Sequence, residues 1–319
     1  GLLDDPTIRD GHMGIAYGSS AGSMEPLRAF ARMLETGSML DVTSTSYIQM
    51  MSHTSAVNIG LFFGMTGRII PTSSACTSGS QAIGYAYEAI RFGRQDMMLA
   101  GGADELSALD AAVFDTLFAT SSKNDTPEYT PRPFDAARDG LVVGEGAATL
   151  ILEEREHALA RGATIYAEIV GFACNSDGAH ITQPEAATMA TAMRLALQDA
   201  GLPPTSIGYV NAHGTATDRG DIAESRATAE VLGRVALSSL KGHFGHTLGA
   251  CGAIESWLSI EMMRHGWFAP TANLENVDPN CAELDYLTGT GREMRVNTIM
   301  SNNFAFGGIN TSLIFHRVD

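Results

Sequence analysis

Short apolar runs alternate with helix-period segments along the whole chain, and glycine stands at the joints. Runs of strand length lie at 97–100, 147–152, 207–210 and 311–315. Helical spacing links Ala82, Ile83, Ala86, Ala89 and Ile90. It also links Met189, Met193, Leu195, Ala196 and Leu197, a segment that closes at Gly201 with Pro203 beyond it. Ile254, Leu258, Glu261 and Met262 belong to a further helix. Strands that are apolar throughout are covered on both faces, so the pattern predicts an α/β chain with buried, mostly parallel sheets. The glycines gather at 101–102, 144–146, 245–252 and 307–308, as tight turns or close backbone approach require.

The segment 69–79 (IIPTSSACTSG) is echoed by 235–245 (VALSSLKGHFG). Each passes from an apolar strand through Ser-Ser into a glycine-containing turn and a helix, which suggests duplication. At 319 residues, against a prior of about 150 per domain, two units fit. No low-complexity tract separates them. The boundary is placed at 162–165, where a charged helix over 153–161 gives way to a strand over 165–170, dividing the chain into 1–164 and 165–319.

Composition excludes several classes. With 45% hydrophobic residues the chain is not a disordered one. Its net charge of −16 argues against a nucleic-acid binder. No apolar stretch reaches eighteen residues, so no membrane-spanning helix is read. The opening residues resemble neither a signal peptide nor a transit sequence, and they lack an initiator Met. Cys76, Cys174, Cys251 and Cys281 form no CxxC pair and read as free thiols, which points to the cytoplasm.

Four places carry chemistry. Cys76 sits where a strand ends and the helix from Gln81 begins. A helix N-terminus favours thiolate, and a sharp turn presents the side chain, although a buried inert thiol fits the same pattern. His213 ends the apolar run 207–212 and is followed by Gly214, Thr215 and Thr217. It is placed either as an active-site residue or as a core histidine. Lys241, His243 and His246 gather a cation and two imidazoles, without the third local ligand or HExxH motif of a metal hydrolase. The segment 302–308 joins two glycines to Phe304 and Phe306. It is either a source of backbone donors and an apolar gate or a glycine-bulged strand turn.

Taken together, Cys76, His213, Lys241, His246 and the Phe306-Gly307-Gly308 loop resemble the β-ketoacyl-[acyl-carrier-protein] synthases in their Cys-His-His form. The segments 101–104, 132–140, 144–146, 211–215 and 245–249 resemble family motifs as well, and the likeness covers nearly the whole chain. It implies a thiolase-like fold: two related halves in αβαβα layers, a site where they meet, and a homodimer. It also implies decarboxylative condensation of an acyl group held on Cys76 with malonyl-acyl-carrier protein, without metal or redox cofactor.

By the same resemblance, the backbone N–H groups of Cys76 and Phe306 form an oxyanion hole, and His213 and His246 hold the enolate oxygen. Lys241 pairs with Glu255, most simply as a salt bridge holding the His246 loop. Thr215 and Thr217 bind the phosphopantetheine arm. Phe304, Phe306 and Gly307 form the gate. Asp135, Arg138 and Asp139 fix the fold as an ion-pair network, and Asn211, Glu255 and Ser301 match a monovalent-cation site of some relatives. Met50, Met51 and Phe63 are candidates for the pocket, and Arg68 for carrier-protein docking.

Departures are an opening βαβ segment absent ahead of Gly1, which would leave an unpaired sheet edge, the Gly242-His243 pair, and Cys251 where relatives carry Ala. Two alternatives remain: a polyketide-type ketosynthase, which keeps the same three residues, and a non-catalytic acyl-binding or chain-length partner, a class that typically loses the nucleophile.

Overall fold

The computed structural model describes residues 2–318. In chain order the strands are β1 (Met13–Gly18), β2 (Ile69–Thr72), β3 (Met97–Asp104), β4 (Gly146–Glu153), β5 (Glu168–Ser176), β6 (Tyr209–Asn211), β7 (Ala236–Ser238), β8 (Trp267–Phe268), β9 (Asp285–Tyr286), β10 (Arg292–Glu293), β11 (Thr298–Ala305) and β12 (Ile309–His316). The α-helices are α1 (Pro26–Thr36), α2 (Ser44–Met50), α3 (Thr54–Phe63), α4 (Ser78–Arg91), α5 (Ala108–Thr116), α6 (Arg155–Ala160), α7 (Ala186–Ala200), α8 (Asp218–Leu232), α9 (Lys241–Phe244) and α10 (Cys251–His265). Most expected elements are present, with longer strands than the apolar runs alone marked. The boundary differs in detail: β4 runs on through Glu153, the helix after it is short, and the next strand begins at Glu168 rather than Ile165.

Two sheets carry the fold. One has the order β2-β1-β3-β4, the other β5-β12-β11-β6-β7-β9, and β8 pairs separately with β10. In the first, β1 is parallel to β2 and β3, while β4 is antiparallel to β3. In the second, β11, β6 and β7 are parallel and β12 is antiparallel to both β11 and β5. The two orders correspond strand for strand. β2 matches β7, β1 matches β6, β3 matches β11 and β4 matches β12. The echoed segments supply β2 and β7, at equivalent positions. β5 has no counterpart in the first sheet among the described residues, and the outer edge of β4 carries no strand partner there.

Helices α4 and α10 lie between the sheets, each touching strands of both, whereas α3 covers the far face of the first sheet and α7 and α8 the far face of the second. This is a five-layer αβαβα stack. The central core joins Ala82, Ile83 and Ala86 of α4 and Ala253, Ile260 and Met263 of α10 to Ile299, Leu313 and Phe315. Small residues bring the middle helices close to the sheets. A Cβ on Gly84 would lie 2.2 Å from the ring of Phe172, so α4 touches β5 through bare backbone. Nearer the site, a Cβ on Gly249 would meet Ser20 N at 2.7 Å and the Asp104 carboxylate at 2.6 Å.

Gly84→Ala should therefore destabilise the protein, by about 1–3 kcal/mol of overpacking, despite alanine's better helix propensity. Urea unfolding checks this. Adding Phe172→Leu should restore part of the loss, because the clash is with that ring.

Candidate active site

Cys76 lies in the turn between β2 and α4, two residues ahead of the helix. The turn is tied by its own hydroxyls, which accounts for the run of Ser and Thr. Thr77 Oγ1 donates to Ser74 O (2.7 Å), Ser78 Oγ donates to Ala75 O (2.7 Å), and Ser78 Oγ accepts from Ser74 N (2.9 Å). Ala75 is held at φ 51°, a left-handed conformation that a non-glycine residue adopts only under such constraint. The backbone N–H groups of Phe306 and of Cys76 itself lie close enough to Sγ to favour its charged form.

His246 is held by the segment that the sequence marked at 144–146. Its N–H donates to Val142 O (2.7 Å), and its carbonyl accepts from Gly144 N (2.9 Å). Leu248 N donates to His246 Nδ1 (3.3 Å), so the ring proton sits on Nε2, which faces Cys76 Sγ at 2.9 Å. His213 stands at the end of β6, with its ring 5.2 Å from that of His246, edge to face. Its Nδ1 is approached by two donors, Lys241 Nζ (3.2 Å) and Asn303 Nδ2 (3.4 Å). That leaves Nδ1 as acceptor and again puts the proton on Nε2.

Lys241 pairs with Glu255 as expected, but the shared contact is to His213 rather than to the His246 loop. Glu255 also accepts from Asn303 (2.7 Å). Asn211 donates to Ser301 Oγ (3.3 Å) and contacts Glu255, so the three cation candidates do meet. The Oδ1 atoms of Asn211 and Asn303 are buried without a hydrogen-bond partner. Thr215 and Thr217 are half-buried, their hydroxyls 2.9 Å apart. Arg138 pairs with Asp278 (2.7 Å), Asp218 and Asp221, and donates to Thr217 O. Asp135 accepts from the backbone of Glu275 and Asn276, and Asp139 binds Ser121 and Ser122.

A cavity of about 180 Å³ opens beside Cys76, lined by Ser20, Ala21, Asp110, Val113, Phe114, Leu248 and Phe306. Phe306 lines it. Phe304 does not: it lies within β11, buried with its ring 6.4 Å from that of His213 in the core outside the second sheet, whereas Phe306 lies beyond the end of that strand, in the turn to β12. Gly307 adopts φ 94° and donates to Ile181 O (2.9 Å), anchoring the hairpin that carries Phe306. Met50, Met51 and Phe63 do not line the cavity, and Phe63 packs instead against the core beneath α3. Arg68 is exposed. Cys251 Sγ donates to Cys76 O (3.2 Å), so this second thiol braces the Cys76 backbone.

Glu224, Asp221 and Asp104 carry roles that the sequence alone did not assign, although Asp104 closes the motif-like segment 101–104. Glu224 accepts from the N–H groups of both His213 and Gly214 (2.7 Å each), and Asp221 accepts from Phe134 N (2.6 Å) and Ala216 N (3.2 Å). Their signal was the spacing of Asp218, Asp221 and Glu224, three apart on the helix after His213. Asp104 accepts from Ser19 Oγ, Ser20 N and Gly249 N, joining the end of β1 to the loop behind His246.

Electrostatics differ from the thiolate expected at a helix end. Burial pushes the Cys76 thiol up to about 11, although the Phe306 N–H, Lys241 and its own N–H pull the other way. Burial, and then the charge of Lys241, holds both imidazoles well below their ordinary range, so they are neutral at pH 7. The resting site is a thiol facing two neutral N–H donors.

Residues 1–158 match the family described as "Beta-ketoacyl synthase, N-terminal domain", and 166–275 match "Beta-ketoacyl synthase, C-terminal domain". The chain is 39% identical over 313 residues to 3-oxoacyl-[acyl-carrier-protein] synthase 2 of Coxiella burnetii, covering 96% of this chain and 75% of that protein. A crystal structure of a beta-ketoacyl synthase from Burkholderia phymatum superposes with TM-score 0.98 at 68% identity, over 100% of this chain and 78% of that one. A type II polyketide acyl-carrier protein in complex with its ketosynthase, bound to the hexaketide, gives TM-score 0.91 at 32% identity, over 98% of this chain and 80% of that one.

Alkylation of Cys76 by iodoacetamide should accelerate about tenfold per pH unit from pH 7 to pH 10, without the plateau near 9 of an exposed thiol. Lys241→Met should slow it at every pH in that range, because the lysine's charge favours thiolate.

Proposed function

The chain belongs to the β-ketoacyl synthase family, and we propose that its site performs the family's reaction through Cys76, His213 and His246. The protein is an acyltransferase of fatty acid elongation. It condenses an enzyme-bound acyl group with malonyl-acyl-carrier protein, with loss of carbon dioxide, to give β-ketoacyl-acyl-carrier protein.

The observation that carries the residue assignment is the pair of imidazoles whose Nδ1 atoms are occupied by donors. Their Nε2 protons are therefore offered on the side of the sulfur. In the first half-reaction Cys76 attacks the thioester of the acyl-carrier protein. The N–H groups of Cys76 and Phe306 receive the oxyanion, and the proton of the thiol leaves with the departing pantetheine sulfur. In the second, loss of carbon dioxide from the malonyl group places an electron pair on the thioester enolate. His213 and His246 stabilise its oxygen, its carbon attacks the acyl-Cys76 carbonyl, and the carbon–sulfur bond to Cys76 breaks, releasing the β-ketoacyl product on the carrier protein and a Cys76 thiolate that takes up a proton from solvent. Neutral imidazoles suit this role, since they donate to the developing anion without surrendering a proton to it. Lys241 acts through His213, keeping Nδ1 an acceptor, and Thr215 and Thr217 offer hydroxyls to the pantetheine arm.

No metal or redox cofactor is assigned to the chemistry, since decarboxylation drives bond formation. Cys76, His213 and His246 have ligand atoms within 4.8 Å of one another, but the donors at Nδ1 leave protons, not lone pairs, facing the centre. A monovalent cation is a different matter. The unpartnered Oδ1 of Asn211, with Ser301 and Glu255, fits a hard cation that would neutralise the buried carboxylate.

The partner is acyl-carrier protein, with Arg68 among the cations that meet its acidic surface. The protein works as a homodimer in the cytoplasm. Supporting the dimer, β2 lies at the end of its sheet, and Leu61 and Phe62 of the adjoining α3 are 75% and 81% exposed. The four thiols are free, and no helix among the described residues is long and apolar enough to cross a membrane. A polyketide-type extender is the second reading, favoured by the likeness to the hexaketide-bound ketosynthase.

Intact-protein mass after incubation with acyl-carrier protein should show one acyl group gained, lost again when malonyl-carrier protein is added, as β-ketoacyl product forms. Cys76→Ala should never load. His213→Ala and His246→Ala should each slow malonyl decarboxylation by about 10²–10³-fold while affecting acyl loading far less, and the opposite pattern would overturn the enolate role. Light scattering should give twice the 33.7 kDa chain mass, and Phe62→Glu should shift it toward the monomer.

A further inference from the structure

The two helices that lie between the sheets touch at their first turns. A Cβ on Gly79 of α4 would lie 2.8 Å from Gly249 O and 3.0 Å from Ala253 N, so bare backbone lets the start of α4 rest on the start of α10. That contact brings Cys76, two residues ahead of α4, against Cys251, the first residue of α10. Cys251 Sγ lies 3.2 Å from Cys76 O, and the two side chains pack with Ala305 in one small buried cluster. Each sulfur also lies within 4.8 Å of a His213 ring nitrogen. Their access differs. Cys76 is 4% exposed and lines the cavity of about 180 Å³, whereas Cys251 is 0% exposed and lies outside its lining. Both are free thiols, and the two half-reactions proposed above use only Cys76.

From this arrangement we infer that Cys76 is a site of reversible oxidation, with Cys251 as its resolving thiol and a hydroperoxide as the oxidant. In the first step the Cys76 thiolate attacks the peroxide. The O–O bond breaks, an S–O bond forms, and the sulfur gives up two electrons to become sulfenic acid, while the rest of the peroxide leaves as alkoxide or hydroxide and takes up a proton. In the second step Cys251 Sγ attacks that sulfur. An S–S bond forms, the S–O bond breaks, and the Cys251 proton leaves with the hydroxide as water. Access sets the order, since Cys76 alone meets the cavity. Burial keeps Cys76 protonated at rest, so the first step is slow at neutral pH and quickens as pH rises. A sulfenic acid with no thiol beside it goes on to sulfinic and sulfonic acids, which thiol reductants do not reverse. The disulfide instead holds Cys76 unreactive until a reductant frees it.

The test treats the whole chain with hydrogen peroxide, then follows iodoacetamide labelling of Cys76 and the masses of its peptides, before and after dithiothreitol. In wild type the peptides of Cys76 and Cys251 should be joined, about 2 Da lighter than their sum, and dithiothreitol should restore labelling. Cys251→Ser keeps a donor to Cys76 O but has no sulfur to form the bridge. There the same dose should leave Cys76 about 32 or 48 Da heavier, and dithiothreitol should restore about a tenth of the labelling or less. Cys251→Ala should behave as Cys251→Ser does, which separates the sulfur from the hydrogen bond. The double variant Cys174→Ser, Cys281→Ser should behave as wild type. Cys76 left reduced, Cys76 carried to sulfinic acid despite Cys251, or a bridge to Cys174 or Cys281 instead would overturn the inference. The readout is the thiol itself, so a failure of acyl loading cannot be mistaken for a failure of this couple.

Discussion

Lys241 donates to Glu255 in a core where the two side chains are 1% and 0% exposed, and His213 and Asn303 complete the contact. Placing two charges so deep is unfavourable unless each finds its partners. Removing either partner of such a pair leaves the other uncompensated, at a loss of about 3–5 kcal/mol. Burial also pushes the Glu255 carboxyl up, against the pull of Lys241 and Asn303. The arrangement spends stability on orientation. It draws one residue each from α9, α10, β11 and the end of β6, and its product is a single ring nitrogen held as an acceptor. The tautomer of His213 follows from that contact, and the polarity of the site follows from the tautomer.

Backbone conformation serves the same end. Ala75 before Cys76, Ala216 after His213 and Leu248 after His246 all adopt positive φ without being glycine. Each of these residues lies within three positions of Cys76, His213 or His246, and each is locked by neighbours. Hydroxyls hold the first, the Asp221 carboxylate holds the second, and the third follows the strand-like pairing of His246 with Val142 and Gly144. Strain of this kind persists only where surrounding contacts over-determine it. The runs of Ser, Thr and Gly around Cys76, His213 and His246 are the sequence trace of those contacts.

That trace explains what could be read beforehand. Strands flanked by glycine turns are local patterns, so the elements and the positions of Cys76, His213 and His246 at their ends were legible. The echo of 69–79 in 235–245 was legible too, and its two strands occupy equivalent places in the two sheets. Phe304 departs from the expectation because it lies inside β11 while Phe306 lies in the turn beyond it, and the point where that strand ends is set by pairing with β12 rather than by the local Phe-Gly pattern. Met50, Met51 and Phe63 were misplaced because apolar composition does not distinguish one packed face from another. The roles of Glu224, Asp221 and Asp104 were not legible because many of their partners are backbone N–H groups brought close only by the fold, so that even the three-apart spacing of Asp221 and Glu224 names no partner. The depth of burial that turns Cys76 into a resting thiol was equally invisible, since a helix terminus and a buried cavity pull its charge in opposite directions and only packing decides between them.

The cavity and the imidazoles come largely from different halves of the molecule. Ser20, Ala21, Asp110, Val113 and Phe114 belong to the first half, with Cys76, whereas His213, Lys241, His246, Glu255 and Asn303 belong to the second. Apart from Leu248 and Phe306, the cavity wall is thus built by side chains on α5 and the end of β1, and of its residues only Leu248 also helps to set an imidazole proton. Such a division is modular. The chamber can be recut, widened or lined with new polar groups through a handful of first-half substitutions, while the machinery for making carbon–carbon bonds is inherited unchanged.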